Sequence, residues 1–226
     1  MTESVKKLKE WVDGAHSIVF FGGAGVSTES GIPDFRSTGG LYHQEWSDPP
    51  EVILSHSYYK SNPEEFFRFY RAKLLAPEAK RNGAHRKLAE WERQGKLEAV
   101  VTQNIDGLHQ AAGSRRVYEL HGSVHRNYCE KCRKFYGLDF MLQSRGVPRC
   151  SCGGAVKPDV VLYEEGLDQD TLNGAVRAIA AADLLIIGGT SLNVYPAAGL
   201  INYYRGQRLA PVVVDQPCCG VDIQRS

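Results

Sequence analysis

The run SIVFFGGAGVS at residues 17–27 constrains the fold more than any other part of the chain. Residues 17–21 read as a buried strand, since the apolar run is too short for a helix. Gly22, Gly23 and Gly25 follow at once. A strand ending in glycines offers backbone N–H groups where parallel sheets bind phosphate. The spacing is not G-x-G-x-x-G, and a tight strand-to-helix turn accounts for the glycines alone equally well. Gly31-Ile32-Pro33-Asp34-Phe35-Arg36 argues against a mere turn, which needs no acid, aromatic and base together.

Further strands are expected at 97–102, 116–120, 184–187 and 211–214. Helical patterns separate them, at 84–94, 171–181 and 197–204, and Val5, Leu8, Trp11 and Val12 form a helical stripe before the first strand. This alternation predicts an α/β chain, with a Rossmann-like, mostly parallel sheet carrying helices on both faces. Residues 40–80 are rich in Tyr and Phe and read as helical in their second half. Residues 124–157 hold four cysteines and few strand signals.

At 226 residues the chain admits one large domain with a small insertion. A formal net charge of +1 excludes a strong field that would gather nucleic acid or anionic lipid. No apolar run approaches the roughly eighteen residues of a membrane span. The first residues lack the apolar centre of a signal peptide, so a cytoplasmic protein is expected.

Cys129-x-x-Cys132 and Cys150-x-Cys152 are separated by 17 residues. Two close thiolate pairs point to a structural Zn²⁺ with no open position for catalysis. A disulfide framework suits a reducing compartment poorly, and redox chemistry would not need the second pair. Cys218 and Cys219 have no other ligands nearby and read as an accidental pair.

Five stretches then fall into one pattern: GAGVS at 23–27, GIPDFR at 31–36, TQNIDGLH at 102–109, ELHG at 119–122 and GTSLNVYPA at 189–197. Their order and spacing, with the cysteine pairs, resemble the sirtuin family from about residue 15 to 215, in a bacterial form of minimal length. The resemblance implies an NAD-dependent protein lysine deacylase, a transferase. In that reaction the acyl oxygen displaces nicotinamide from the ribose. The acyl group ends on ADP-ribose, giving free lysine and 2′-O-acetyl-ADP-ribose. It further implies an NAD-binding domain at 1–123 and 158–226, a helical cofactor-loop module at about 38–80, and a zinc-binding small domain at 124–157.

The residue roles implied are as follows. His121 is the general base and Asn104 orients ribose hydroxyls or water. Asp106 accepts from the nicotinamide carboxamide, with Ile105 and Phe35 against its ring. Gln103 faces the ribose. Ala24, Gly25 and Thr28 cradle diphosphate and ribose. Asp34 and Arg36 hold the cofactor loop, and Arg36 can also meet phosphate. Gly189, Thr190, Ser191 and Asp215 serve the adenosine side. An acyl-lysine segment would lie extended between residues 160–164 (VVLYE) and 192–194 (LNV), where Glu164 and Glu165 could favour basic flanks. His16, His43, His56 and His85 are expected at the surface or helix ends, and His109 behind the site. Family members that remove acidic acyl groups pair a tyrosine with an arginine. Here Tyr70 is followed by Lys73, which lacks the bidentate fork, so acetyl or another short neutral acyl group is expected. The eleven residues after Asp215 match no expected family ending. Protein ADP-ribosylation, non-catalytic binding of NAD or acyl-lysine, and nucleic-acid binding by the cysteine segment are the competing readings.

Overall fold

The computed structural model describes residues 3–34, 46 and 48–212. Phe35, Arg36, His43, Asp215, Cys218 and Cys219 lie outside the described residues.

Helix α1 (Glu3–Asp13) leads into β1 (Ile18–Gly22) and a 3₁₀ segment (Ala24–Ser30). Helices α2 (Pro50–Ile53), α3 (His56–Ser61) and α4 (Pro63–Lys73) follow. Then come α5 (Gly83–Arg93), β2 (Leu97–Thr102), α6 (Leu108–Ala112) and β3 (Val117–Glu119). The cysteine region contributes β4 (Gly122–Cys129), β5 (Phe135–Tyr136), α7 (Leu138–Gln143) and β6 (Val156–Val160). The chain returns through α8 (Gln169–Ala181), β7 (Leu184–Gly188), a 3₁₀ segment (Ala197–Tyr203) and β8 (Arg208–Val212).

Five strands form a parallel sheet in the order β3-β2-β1-β7-β8. Each strand alternates its side chains between two covered faces. Val19 and Phe21 pack with Ala175, Ile179 and Leu200 on one side, while Ile18 and Phe20 pack with Val12 and Leu88 on the other. Full burial of each such side chain contributes about 1.5–3 kcal/mol, which makes the double-sided sheet the stable centre of the molecule. The strand order reverses between β1 and β7, so the connections beyond them run to opposite sides and leave a crevice outside the C-terminal ends, the usual ligand site of such sheets.

Two expectations need correction. The last strand, expected at 211–214, starts at Arg208. Pro211 sits within it, in register with Ile187, on the outermost described strand, where a missing N–H disturbs no further ladder. The cysteine region, with few strand signals in its sequence, forms an antiparallel sheet in the order β5-β4-β6. Its inward positions on β4 include Ser123 and Asn127, both buried, so no apolar alternation marks the strand. Asn127 Nδ2 satisfies itself on the carbonyls of Val124 and Tyr136, both at 3.2 Å. The cysteine sheet and helices α2–α4 share one core, in which Phe66, Phe67 and Tyr70 meet Cys129, Met141 and Val156.

Candidate active site

A cleft of about 1200 Å³ opens beyond the C-terminal ends of β1 and β7, between the parallel sheet, the cysteine sheet and the end of α4. Its lining brings together Ala24, Gly25, Asp34, Gln103, Asn104, Ile105, Asp106, His121, Gly189, Thr190 and Ser191. Residues separated by more than 160 positions in the chain therefore converge as the sequence motifs imply.

The two glycine-rich turns lock onto each other. Gly25 N–H donates to the Gly189 carbonyl at 2.8 Å, and Gly23 N–H to that of Gly188 at 3.2 Å. Those two amides are thus engaged within the protein and not held out for phosphate. Gly189 has φ +61°, and a Cβ there would lie 2.3 Å from Val26 N, so glycine is required by both conformation and contact. Thr28 does not line the cleft; its hydroxyl donates to the Gly25 carbonyl at 2.9 Å.

Ser27, to which the sequence reading gave no role, stands at the centre of the site. Its buried hydroxyl accepts from Asn104 Nδ2 at 3.0 Å and donates to Asp106 Oδ2 at 2.6 Å. The other Asp106 oxygen accepts from Leu108 N–H at 2.9 Å, and Asn104 N–H donates to the Thr102 hydroxyl at 3.0 Å. Gln103 Nε2 reaches the Thr190 hydroxyl at 3.3 Å, tying the β2 loop to the β7 loop. The only sequence signal for Ser27 was its place at the end of GAGVS.

His121 follows β3 at its C-terminal end. Its Nδ1 lies 3.0 Å from the Gln103 carbonyl oxygen. A carbonyl only accepts, so Nδ1 carries the proton and Nε2 keeps its lone pair in neutral imidazole. Burial pushes the His121 pKa below the ordinary histidine value, against the opposing pull of the Gln103 carbonyl. The ring is therefore a neutral base at physiological pH.

The other histidines separate by burial. His109 is buried behind the site, as expected, with its pKa lowered to about 3 by burial and by neighbouring His85. His85 stands at a helix end, one of the two expected places, but it is wholly buried there, 4.7 Å from His109 between ring centres. Its position three residues after Asn82 explains this, because Asn82 N–H donates to His85 Nδ1 in a reciprocal cap of α5. The cap folds the ring inward.

The acidic pair beside the cleft is committed internally. Glu164 accepts from the Ser57 amide and hydroxyl at 2.9 and 2.6 Å. Glu165 accepts from His56, Lys157 and the Leu162 amide. These bonds anchor α3 to the segment after β6, which weakens the expectation that the carboxylates recruit basic flanks. Tyr70 is buried away from the cleft, while Lys73 lines it.

The four cysteine sulfurs all lie within 4.8 Å of one another. Cys129 and Cys152 are 3.4 Å apart, and Cys132 and Cys150 are 3.6 Å apart. A tetrahedral ion with Zn–S bonds of about 2.3 Å needs sulfurs about 3.8 Å apart, so the donor set fits zinc. The charges point the same way. The Cys152 backbone N–H and the Tyr136 hydroxyl hold the Cys150 thiol down to about 5. Cys132 is pulled down by the Lys134 backbone but pushed up to about 12 by the three neighbouring thiols. Neighbouring thiols thus oppose full ionisation of the cluster, an opposition that a cation held between the sulfurs would relieve.

The Sir2 family model matches residues 23–196. The chain belongs to the Sir2 family. It is 62% identical over 213 residues to an NAD-dependent protein deacetylase of Clostridium perfringens, covering 92% of this chain and 87% of that protein. It is 55% identical to an NAD-dependent protein deacetylase of Cutibacterium acnes, covering 96% and 89%. Among solved structures, a Sir2 complex with p53 peptide and NAD⁺ superposes with a TM-score of 0.81 at 40% identity, covering 96% of this chain and 88% of that one. No described helix of this sirtuin is long and apolar enough to cross a membrane.

Proposed function

We propose that this sirtuin is an NAD-dependent protein lysine deacetylase that works in the cleft at the sheet's reversal point. It transfers the acetyl group of acetyl-lysine to ADP-ribose, releasing nicotinamide. The observation that carries the reading is the convergence, in one cleft, of a neutral His121 with the Asn104–Ser27–Asp106 hydrogen-bond chain and the paired glycine turns.

NAD supplies an electrophilic ribose carbon and nicotinamide as leaving group. The protein's own part is to orient and to move protons. Nδ1–H of His121 is fixed on Gln103, which aims Nε2 as the acceptor for a ribose hydroxyl proton. Asn104 and Asp106 are held by one serine, so the amide that orients and the carboxylate that accepts keep a constant separation. Ala24, Gly25, Asp34, Ile105, Gly189, Thr190 and Ser191 form the walls and floor around NAD. The acyl-lysine segment enters between residues 160–164, all of which line the cleft, and 192–194, of which Leu192 and Val194 do. With Tyr70 turned into the core, nothing at that position offers a hydroxyl to an acidic acyl group, which favours acetyl. Cys129, Cys132, Cys150 and Cys152 hold a structural Zn²⁺ away from the chemistry.

The test is mass spectrometry of an acetyl-lysine peptide incubated with the protein, with and without NAD. Loss of the acetyl mass only with NAD, alongside nicotinamide and acetyl-ADP-ribose, is expected. Gain of an ADP-ribose mass on the peptide, or no change in it, would overturn the proposal.

A further inference from the structure

The pairing of β4 with β6 breaks in the middle. Ser123 pairs with Asp159 and Asn127 with Pro158, so the backbones of Val124, His125 and Arg126 have no register partners on β6. Such a bulge turns side chains out of their normal alternation. Val124 and His125 use this freedom to reach the loop after β2, and Arg126 to reach the end of β3. Val124 N–H donates to the Ile105 carbonyl at 3.0 Å. His125 Nε2 lies 3.0 Å from the Asp106 carbonyl oxygen, to which it donates. Arg126 donates through its NH1 nitrogen to Glu119 at 2.6 Å and through Nε to Asp159 at 2.7 Å. Glu119 is the last residue of β3, two before His121, and the His121 carbonyl accepts from Val161 N–H at 3.0 Å. Gly107 completes the seat: a Cβ there would lie 2.7 Å from the His125 ring. The ring thus lies flush on the loop whose amide and carboxylate face the cleft.

We propose that the bulge of Val124, His125 and Arg126 is a brace setting the distance between the Asn104/Asp106 loop and the strand end that carries His121. His125 and Arg126 are then positioning residues: His125 acts through Asp106, and Arg126 through Glu119. The inference rests on the deacetylase reading for its kinetic consequence but not for the tether itself. Each loop hangs from a different strand of the parallel sheet. The cysteine sheet reaches both, so it works as a crosspiece over the cleft.

The experiment compares full-length wild type with His125→Ala and Arg126→Ala, and with the milder His125→Gln and Arg126→Lys. Hydrogen exchange at the Val124, Leu108 and Leu120 amides reads the tether directly. It should speed by roughly 10-fold or more in the alanine variants, with α8 amides unchanged. With acetyl-lysine peptide and NAD, kcat should fall roughly 10-fold while KM for peptide stays within about 2-fold, the pattern of lost transition-state alignment. Arg126→Lys, keeping the charge but not the two-ended fork, should recover part of kcat. Unchanged exchange at all three amides would overturn the brace, and so would faster exchange with wild-type kcat. Equal acceleration in α8 would show general loosening and also overturn it. If wild type fails to deacetylate, the deacetylase reading falls, while exchange still decides the brace by itself.

Discussion

The Nδ1 atom of His121 sits 3.0 Å from the carbonyl oxygen of Gln103, a residue on the neighbouring strand's loop. One bond therefore settles the tautomer, the ring plane and the direction of the free nitrogen together.

His121→Ala should keep the fold and much of the NAD affinity while deacetylation falls by roughly 10² or more, the scale of a lost general base. Nicotinamide exchange should survive better, because nicotinamide departs before the base is needed. Both rates are to be measured on one preparation at saturating acetyl-lysine peptide. In wild type, the lowered His121 pKa places the acid limb of kcat/KM below the ordinary histidine value of about 6.5. An acid limb above that value would assign the titration to another group.

Ser27→Ala should cut kcat steeply through two neighbours at once. It leaves Asn104 Nδ2 and one Asp106 oxygen without their shared partner. An unpaired buried polar group costs about 1–3 kcal/mol, so stability should fall by that order as well. Ser27→Thr preserves the hydroxyl but adds a methyl at a buried site. Wild-type turnover in Ser27→Ala would show that the hydrogen-bond chain is dispensable.

Purified protein should hold about one zinc per chain, bound by four cysteines. Cys150→Ser should lose the ion. Because Cys129 and Cys150 lie in the same core as Phe66, Phe67 and Tyr70, the loss should reach α4 and lower the melting temperature of the whole protein. Tyr136→Phe should weaken zinc affinity more mildly, about 10–100-fold, by removing the hydroxyl 3.1 Å from Cys150 Sγ. A metal-free protein with full activity and an unchanged melting curve would refute the structural assignment.

The buried histidine pair predicts acid sensitivity. His109 titrates at about 3 when folded and at about 6.5 when unfolded. Below 6.5 the unfolded chain binds a proton that the folded chain refuses. The stability from keeping His109 neutral is thus complete above pH 6.5 and is lost as pH falls from there toward 3. His85, also lowered chiefly by burial, adds in the same direction. Urea melts between pH 8 and 4 should show a slope that His109→Leu makes shallower. Equal slopes in the two proteins would exclude the pair as its source.

The parallel sheet was legible in the sequence because strands covered on both faces leave continuous apolar runs, as in β1 and β7. The cysteine sheet was not, because β4 turns the polar Ser123 and Asn127 inward, where Ser123 accepts from His125 N–H and Asn127 Nδ2 donates to two carbonyls. The residues of the family motifs that meet in the cleft, such as His121 and Asp106, could be named from the resemblance. Ser27 could not. A serine in a glycine turn looks local, and its partners stand 77 and 79 residues away. The burial of His85 was hidden for a similar reason: a helix-end position says nothing of depth, and its cap directs the ring toward His109.

The interlocked turns at Gly25 and Gly189 give the cleft a floor built from main chain. Side chains can be exchanged one at a time, whereas a backbone surface changes shape only if both strands move. The base is accordingly the least adaptable part of the cleft, since a Cβ at Gly189 would collide with Val26 N and one at Gly25 with Gly189 Cα. Any retuning of what the cleft accepts has to come from its sides, where Lys73, Leu192 and Tyr195 present side chains to the opening.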